Sequence, residues 1–185
     1  MATLKSYCGK YEIYVDDSDA EMLIAHASNQ QNKEGLWSVK VGNNNLYAVS
    51  NSKGFEVKMH RLIMSATDGQ QIDHINGNGL DNRKDNLRFA TSAQNCQNRE
   101  KLKGKSLFKG VTVENGRFRS TIWIRRKKVF LGMYEKEEHA AIAYNFAAQK
   151  LYGEFAKINS VLSDECAPEI EKRINEINFN KYLSQ

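Results

Sequence analysis

The chain has 185 residues, 41% of them hydrophobic, enough for one generous domain or two small ones with modest cores. Its net charge of +5 is unevenly spread: residues 1–98 hold ten Lys/Arg against eleven Asp/Glu, 99–157 fourteen against six, and 158–185 three against five, so a basic segment lies between near-neutral flanks, the footprint of a polyanion site. Cys8, Cys96 and Cys166 contain no CxxC pair and indicate neither a zinc knuckle nor a disulfide framework, and the lack of an apolar leader or of roughly 18 consecutive apolar residues predicts a soluble, unexported, cytoplasmic protein.

In chain order, Tyr11 to Val57 reads as β-rich: a short strand, an acidic turn at Asp16, Asp17 and Asp19, then strands around Trp37–Val41 and Leu46–Val49, with turn signals at Gly42–Asn45 and Ser50–Gly54. A short helix entered near His60 carries Leu62, Ile63 and Met64 and stops before Gly69. Gln71–Ile75 reads as a strand, Asn76–Asn86 as a polar loop, Leu87–Ala90 as a second strand and Ser92 onward as a helix, a ββα unit. Thr91 with Gln94 three residues later predicts a capping box at the helix start. Arg99–Ser106 is basic and aperiodic, the signature of a linker. Between Phe108 and Leu131 three short strands are parted by turns at Glu114–Gly116 and Arg125–Lys128. An alanine-rich helix follows over Glu137–Tyr152, and a tail helix carries Ile170, Ile174 and Ile177 behind Pro168.

The ββα unit gathers polar residues too densely for a solvated loop: Asp73-His74-Ile75-Asn76-Gly77, Asp81-Asn82-Arg83, Asn86-Leu87-Arg88 and Gln94-Asn95. Phosphodiester hydrolysis needs a base for water and a cation for the charge growing on the phosphate. His74 can be the base, while Asp73 and Asn95 offer oxygen ligands that favour a hard ion, Mg²⁺ or Mn²⁺, over zinc. Neighbours on a strand point to opposite faces, so Asp73 and His74 diverge unless the chain bends beyond them, which Gly77 and Gly79 make easy. Arg83 and Arg88 either contact phosphate or pair inside the fold.

These residues resemble the His-Asn-His (HNH) endonuclease family, in particular its intron and phage homing enzymes, over about residues 60–98. The resemblance implies that His74 is the general base, that Asp73 and Asn95 hold the metal, and that Asn86 pins the loop orienting the imidazole. His60-Arg61-Leu62-Ile63 looks like the family's approach to the site.

Alternation along Arg117–Arg125 places Phe118, Ser120, Ile122 and Ile124 on one face, toward the alanine-rich helix, and Arg117, Arg119, Thr121, Trp123 and Arg125 on the other. The next strand repeats the division, with Val129 and Leu131 inward and Lys128 and Phe130 outward. An exposed tryptophan among arginines suits DNA, since a sheet can enter a major groove about 12 Å wide. Phe108-Lys109-Gly110-Val111, Val129-Phe130-Leu131-Gly132, the Ala140–Tyr144 run, Gly153 and Asn159 resemble the ethylene-response-factor (ERF, APETALA-type) DNA-binding domain over about residues 106–159. That resemblance implies DNA contacts from Lys109, Arg117, Arg119, Trp123, Arg125, Lys128 and Phe130. The family's usual Trp and Arg stand here as Phe118 and Trp123.

The expected fold is α+β: a β-rich region (1–58), a ββα-metal nuclease module (59–100), a basic linker (101–105), a three-stranded antiparallel sheet plus helix (106–160) and a helical tail (161–185). The expected function is that of a monomeric, phage-encoded or mobile-element homing endonuclease in a bacterial host. It would use one divalent cation, no zinc and no small-molecule cofactor, act on double-stranded DNA away from membranes, and leave 5′ phosphate and 3′ hydroxyl ends. The alternatives are a DNA-binding regulator with an inactive nuclease module and an RNA-directed nuclease or binder, the latter disfavoured because the A-form major groove resists side chains.

Overall fold

The computed structural model describes residues 1–28, 36–42, 45–52, 55–99, 104–162 and 164–183, which form a mixed α/β structure of four small antiparallel sheets and six α-helices. The chain divides into two units, Met1–Cys96 and Gln97–Gln185.

In the first unit, β1 (Ala2–Lys5) pairs with β2 (Glu12–Val15), whose alternation buries Ile13 and Val15. The acidic stretch after β2 is not a turn. It opens helix α1 (Asp17–Ser28), where Asp17 and Asp19 complement the positive helix start and Leu23 and Ala27 reach the core at helical spacing. The N-terminal region is therefore mixed rather than β-rich. Strands β3 (Ser38–Val41), β4 (Leu46–Ser52) and β5 (Phe55–Lys58) form a meander, with β4 continuing through the expected turn residues Ser50 and Asn51 because they pair with Val57 and Glu56. Helix α2 (Met59–Ile63) follows, and the Arg61 guanidinium ties the loop beyond it by donating to the carbonyls of Ala66, Thr67 and Gln70. The ββα unit comes last as β6 (Gln71–His74), a 3₁₀ turn (Lys84–Asn86), β7 (Leu87–Ala90) and α3 (Ser92–Gln97). Thr91 and Gln94 exchange hydrogen bonds as a capping box.

Ile13, Val15, Leu23, Trp37, Met59, Leu80 and Leu87 belong to one core cluster, so the segments 1–58 and 59–96, separate regions on the sequence pattern, are a single body. The loop of the ββα unit is joined to β2 by main-chain hydrogen bonds, Tyr14 N–H to the Leu80 carbonyl and Asn82 N–H to the Tyr14 carbonyl. Lys84 donates from its backbone to Asp16 and from its ammonium to Asp19.

In the second unit, β8 (Val111–Glu114), β9 (Arg117–Ile124) and β10 (Lys127–Tyr134) form a sheet in the order β10-β9-β8. Helix α4 (Glu137–Tyr152) lays Ala140, Ala143, Ala147 and Ala148 on it. Small side chains let helix and sheet approach closely. At Gly110 this closeness is strict: its φ is positive, and a Cβ there would lie 2.0 Å from the Tyr144 ring. The tail forms α5 (Ala167–Glu176), with Pro168 in its first turn and Ile170 and Ile174 in the core of this unit, and α6 (Asn180–Leu183). The expected linker at 101–105 lies largely outside the described residues. No helix among the described residues is long and apolar enough to cross a membrane.

Trp37 is fully buried, and its indole N–H donates to the Leu23 carbonyl. Trp37→Ala is expected to cost about 3–5 kcal/mol in denaturant unfolding followed by circular dichroism. A loss under about 0.5 kcal/mol, the range of a surface substitution, would mean that the first 58 residues are not integral to this unit.

Candidate active site

β6 and β7 pair in a register that sets Asp73 opposite Arg88 and His74 opposite Leu87. Strand alternation persists through His74, so the two adjacent side chains take opposite faces. On one face, Arg88 donates from Nε and a terminal nitrogen to Asp73 Oδ2 at 3.0 and 2.7 Å. Gln71, two residues before Asp73, shares that face and accepts from Asn95 Nδ2 of α3 at 3.0 Å, while its own amide donates to Ser92. Asp73 and Asn95, the expected metal ligands, thus flank Gln71 on the side of β6 that α3 covers. A shallow depression of about 500 Å³ bordered by Gly69, Gln71, Ala90 and Thr91 opens beside this helix.

On the other face His74 is only 4% exposed. Its ring meets the His60 ring edge-on at 5.0 Å between centroids, with the Tyr47 ring at 6.0 Å. His74 Nε2 lies 3.4 Å from Asn82 Oδ1, so the Asn82 amide faces the imidazole. Burial holds the His74 pKa below the ordinary value, opposed by the Asn82 contact. His60 is pushed down further, to about 3, first by burial and then by the neighbouring His74. Both imidazoles are therefore neutral near pH 7, the form in which a histidine accepts a proton. His60 Nδ1 and Asn82 Nδ2 are buried without a hydrogen-bond partner among the described residues.

Asn86 closes the loop between the strands. Its Oδ1 accepts from the Asn76 backbone at 2.9 Å, and its Nδ2 donates to Asn76 Oδ1 and to the Asp81 carbonyl. Asp81 in turn takes two hydrogen bonds from Arg83, whose guanidinium holds the Asp81 carboxyl below the usual carboxylate range. Gly79 has a steric duty in the same loop: a Cβ would stand 2.2 Å from the Leu46 carbonyl, so only glycine lets the loop seat on β4. Arg83 and Arg88, open on the sequence between phosphate contact and internal pairing, are both paired internally, and only Arg83 keeps substantial exposure.

The resemblance sets His60 at the approach to the site and the motif includes Asn82, but neither is given a partner there, and the sequence gives no signal for Tyr47. The packing of β4 and α2 against β6 brings Tyr47 and His60 to His74, and the loop after β6 brings Asn82. Residues 57–97 match the HNH endonuclease family model. That span covers α2 and the whole ββα unit. An uncharacterized HNH endonuclease of Acanthamoeba polyphaga mimivirus is 32% identical over 121 residues, 62% of this chain and 63% of that protein. The chain therefore spans less than two thirds of the length of that relative.

In the second unit, the outer sheet face carries Trp123, 61% exposed, and Phe130, 48% exposed, with Arg117, Arg125 and Lys128 also exposed. The Arg119 guanidinium lies 5.0 Å from the Phe130 centroid and bonds Glu114. Two residues differ from expectation. Thr121, read as outward, is buried because Gly110 covers it, accepting from its N–H and hydroxyl. Lys109, read as a DNA contact, directs its ammonium to the carbonyls of Gln97 and Arg99 and its N–H to Asn159.

The buried His60 gives a signed pH dependence. With a pKa of about 3 folded against 6.5 for the free group, the folded state refuses a proton that the unfolded chain accepts between those values. Its stabilising effect is complete above pH 6.5 and is lost as the pH falls toward 3. Melting temperatures from pH 7 to 4 are expected to fall more steeply for the natural protein than for His60→Gln. Parallel curves would assign the acid sensitivity to other groups.

Proposed function

We propose that the protein is a metal-dependent DNA endonuclease of the HNH homing type, with the sheet of the second unit selecting the site. The observation that carries this reading is the ββα arrangement itself: a neutral His74 on one side of β6, Asp73 and Asn95 beside Gln71 on the other, and Asn86 bracing the loop between. The donor set fits a hard cation. Asn95 commits its amide nitrogen to Gln71, which makes its oxygen the ligand atom, and Asp73 supplies a carboxylate. Mg²⁺ or Mn²⁺, when bound, would neutralise charge developing on the phosphate and on the departing oxygen. His74, whose Nε2 faces the Asn82 amide at 3.4 Å, takes the proton from the attacking water. Asn86 acts at one remove, through the loop. Hydrolysis in this sense leaves a 5′ phosphate and a 3′ hydroxyl.

For site selection, Trp123 and Phe130 supply flat apolar surface, while Arg117, Arg125 and Lys128 supply charge to duplex DNA. Arg119 supports Phe130, and Lys109 braces the start of the unit. The two-module arrangement, nuclease followed by an ERF-type sheet, suits a phage or mobile-element enzyme acting as a monomer.

Supercoiled plasmid incubated with the protein and Mg²⁺ is expected to be nicked or linearised, and EDTA or His74→Ala should abolish the product. Deep burial of His74 favours one second reading, a DNA-binding regulator with an inactive nuclease module. Tight binding without metal-dependent cleavage would select that reading. In a separate titration, Arg117→Ala with Lys128→Ala is expected to lower the slope of log affinity against log salt by about two, one for each phosphate charge no longer neutralised. An unchanged slope would remove this face from the DNA interface.

A further inference from the structure

The second unit holds a cluster that the nuclease reading does not use. His139 lies in the first turn of α4, and Asp164 and Cys166 lie just before α5. A ring nitrogen of His139, an Asp164 carboxylate oxygen and the Cys166 sulfur all lie within 4.8 Å of one another. The His139 side chain is 14% exposed and sits 2.6 Å from Asp164 Oδ2. The other carboxylate oxygen, Oδ1, accepts the Cys166 N–H at 3.0 Å, so the main chain holds the carboxylate with Oδ2 turned to the imidazole.

We propose that His139, Asp164 and Cys166 form a zinc site that fastens the start of α5 to α4. The ligand set is one imidazole nitrogen, one carboxylate oxygen and one thiolate, a mixture that suits a borderline-soft ion and poorly suits Mg²⁺ or Ca²⁺. Tetrahedral zinc with bonds of about 2.0 Å to nitrogen and oxygen and about 2.3 Å to sulfur separates its ligand atoms by about 3.3–3.6 Å. The three ligand atoms, all within 4.8 Å of one another, lie close to the needed span. The His139–Asp164 pair, 2.6 Å apart, must part to reach it, exchanging one hydrogen bond for two metal bonds. Cys166 loses its thiol proton to solvent on binding, and water completes the fourth position. The consequence is structural. α5 contributes Ile170 and Ile174 to the core beneath α4, and a metal joining the helix starts would fix the tail of a small unit whose core is limited in size. His139 stands far from Asp164 and Cys166 in the chain, which leaves no CxxC signature, and this is why the sequence alone does not display the site. The proposal is independent of the nuclease reading.

The test uses the full-length protein, reduced and stripped with chelator. Co²⁺ is added first, because thiolate coordination gives a charge-transfer absorption that oxygen and nitrogen ligands do not. Zn²⁺ affinity is then measured by competition with a chromophoric chelator. The thiolate band is expected in the natural protein, in Cys8→Ser with Cys96→Ser, and in Asp73→Ala, which removes the proposed nuclease ligand. It should vanish in Cys166→Ala, and zinc affinity should fall at least tenfold in Cys166→Ala and His139→Gln. Absence of the band from the Cys8→Ser/Cys96→Ser protein, or zinc affinity unaltered by Cys166→Ala, would overturn the proposal. The cobalt band in protein that keeps all three ligands decides the matter even if a ligand variant folds poorly.

Discussion

The Asn86 side chain is the constraint on which the candidate active site depends. One amide satisfies the Asn76 N–H, the Asn76 side chain and the Asp81 carbonyl, and so closes the loop that leaves β6 directly after His74. A loop of this length carries many backbone polar groups, and burying it requires a partner for each. Asn86 supplies several at once, while Asn45, bonded to the Gly77 carbonyl and the Gly79 N–H, supplies more from the neighbouring sheet. With the loop closed, Leu80 reaches the core and Asn82 reaches His74.

Burial then sets the chemistry of the two faces of β6. On the His74 side, two imidazoles and a tyrosine ring pack together, and removal from water disfavours protonation of either histidine. On the Asp73 side the carboxylate takes two hydrogen bonds from Arg88, which is itself largely buried. An imidazole and a carboxylate are thereby held on neighbouring residues with different partners.

The second unit follows a different plan. Its core is a layer of alanines between helix and sheet, and its charge lies on the face turned away from the helix. The Arg125-Arg126 turn between β9 and β10 has both residues at positive φ, a conformation more often given to Asn and Gly. A register shift between Phe130 and Gly132 adds a bulge to β10. Alternation holds for Phe118, Ile122, Ile124, Val129 and Leu131 on the inside, yet Thr121 is buried too, its N–H and hydroxyl bonded to the Gly110 carbonyl.

Local pattern makes much of this protein legible from its sequence. The ββα unit, the Thr91–Gln94 capping box, the three strands of the second sheet and helix α4 all follow from short-range periodicity, turn residues and hydrogen bonds between near neighbours. The motif residues Asp73, His74, Asn86 and Asn95 are readable for the same reason, since their spacing reflects one supersecondary unit. Long-range packing decides the rest. Asp16, Asp17 and Asp19 read as a turn because acidic clusters favour both turns and helix starts, and only the core contacts of Leu23 and Ala27 distinguish the two. The roles of His60, Tyr47, Arg83, Arg88 and Lys109 rest on partners that local pattern does not identify. Sequence determines which side chains can ionise or donate, whereas the tertiary structure decides which of them meet and which are removed from water, because burial and pairing belong to the assembled fold.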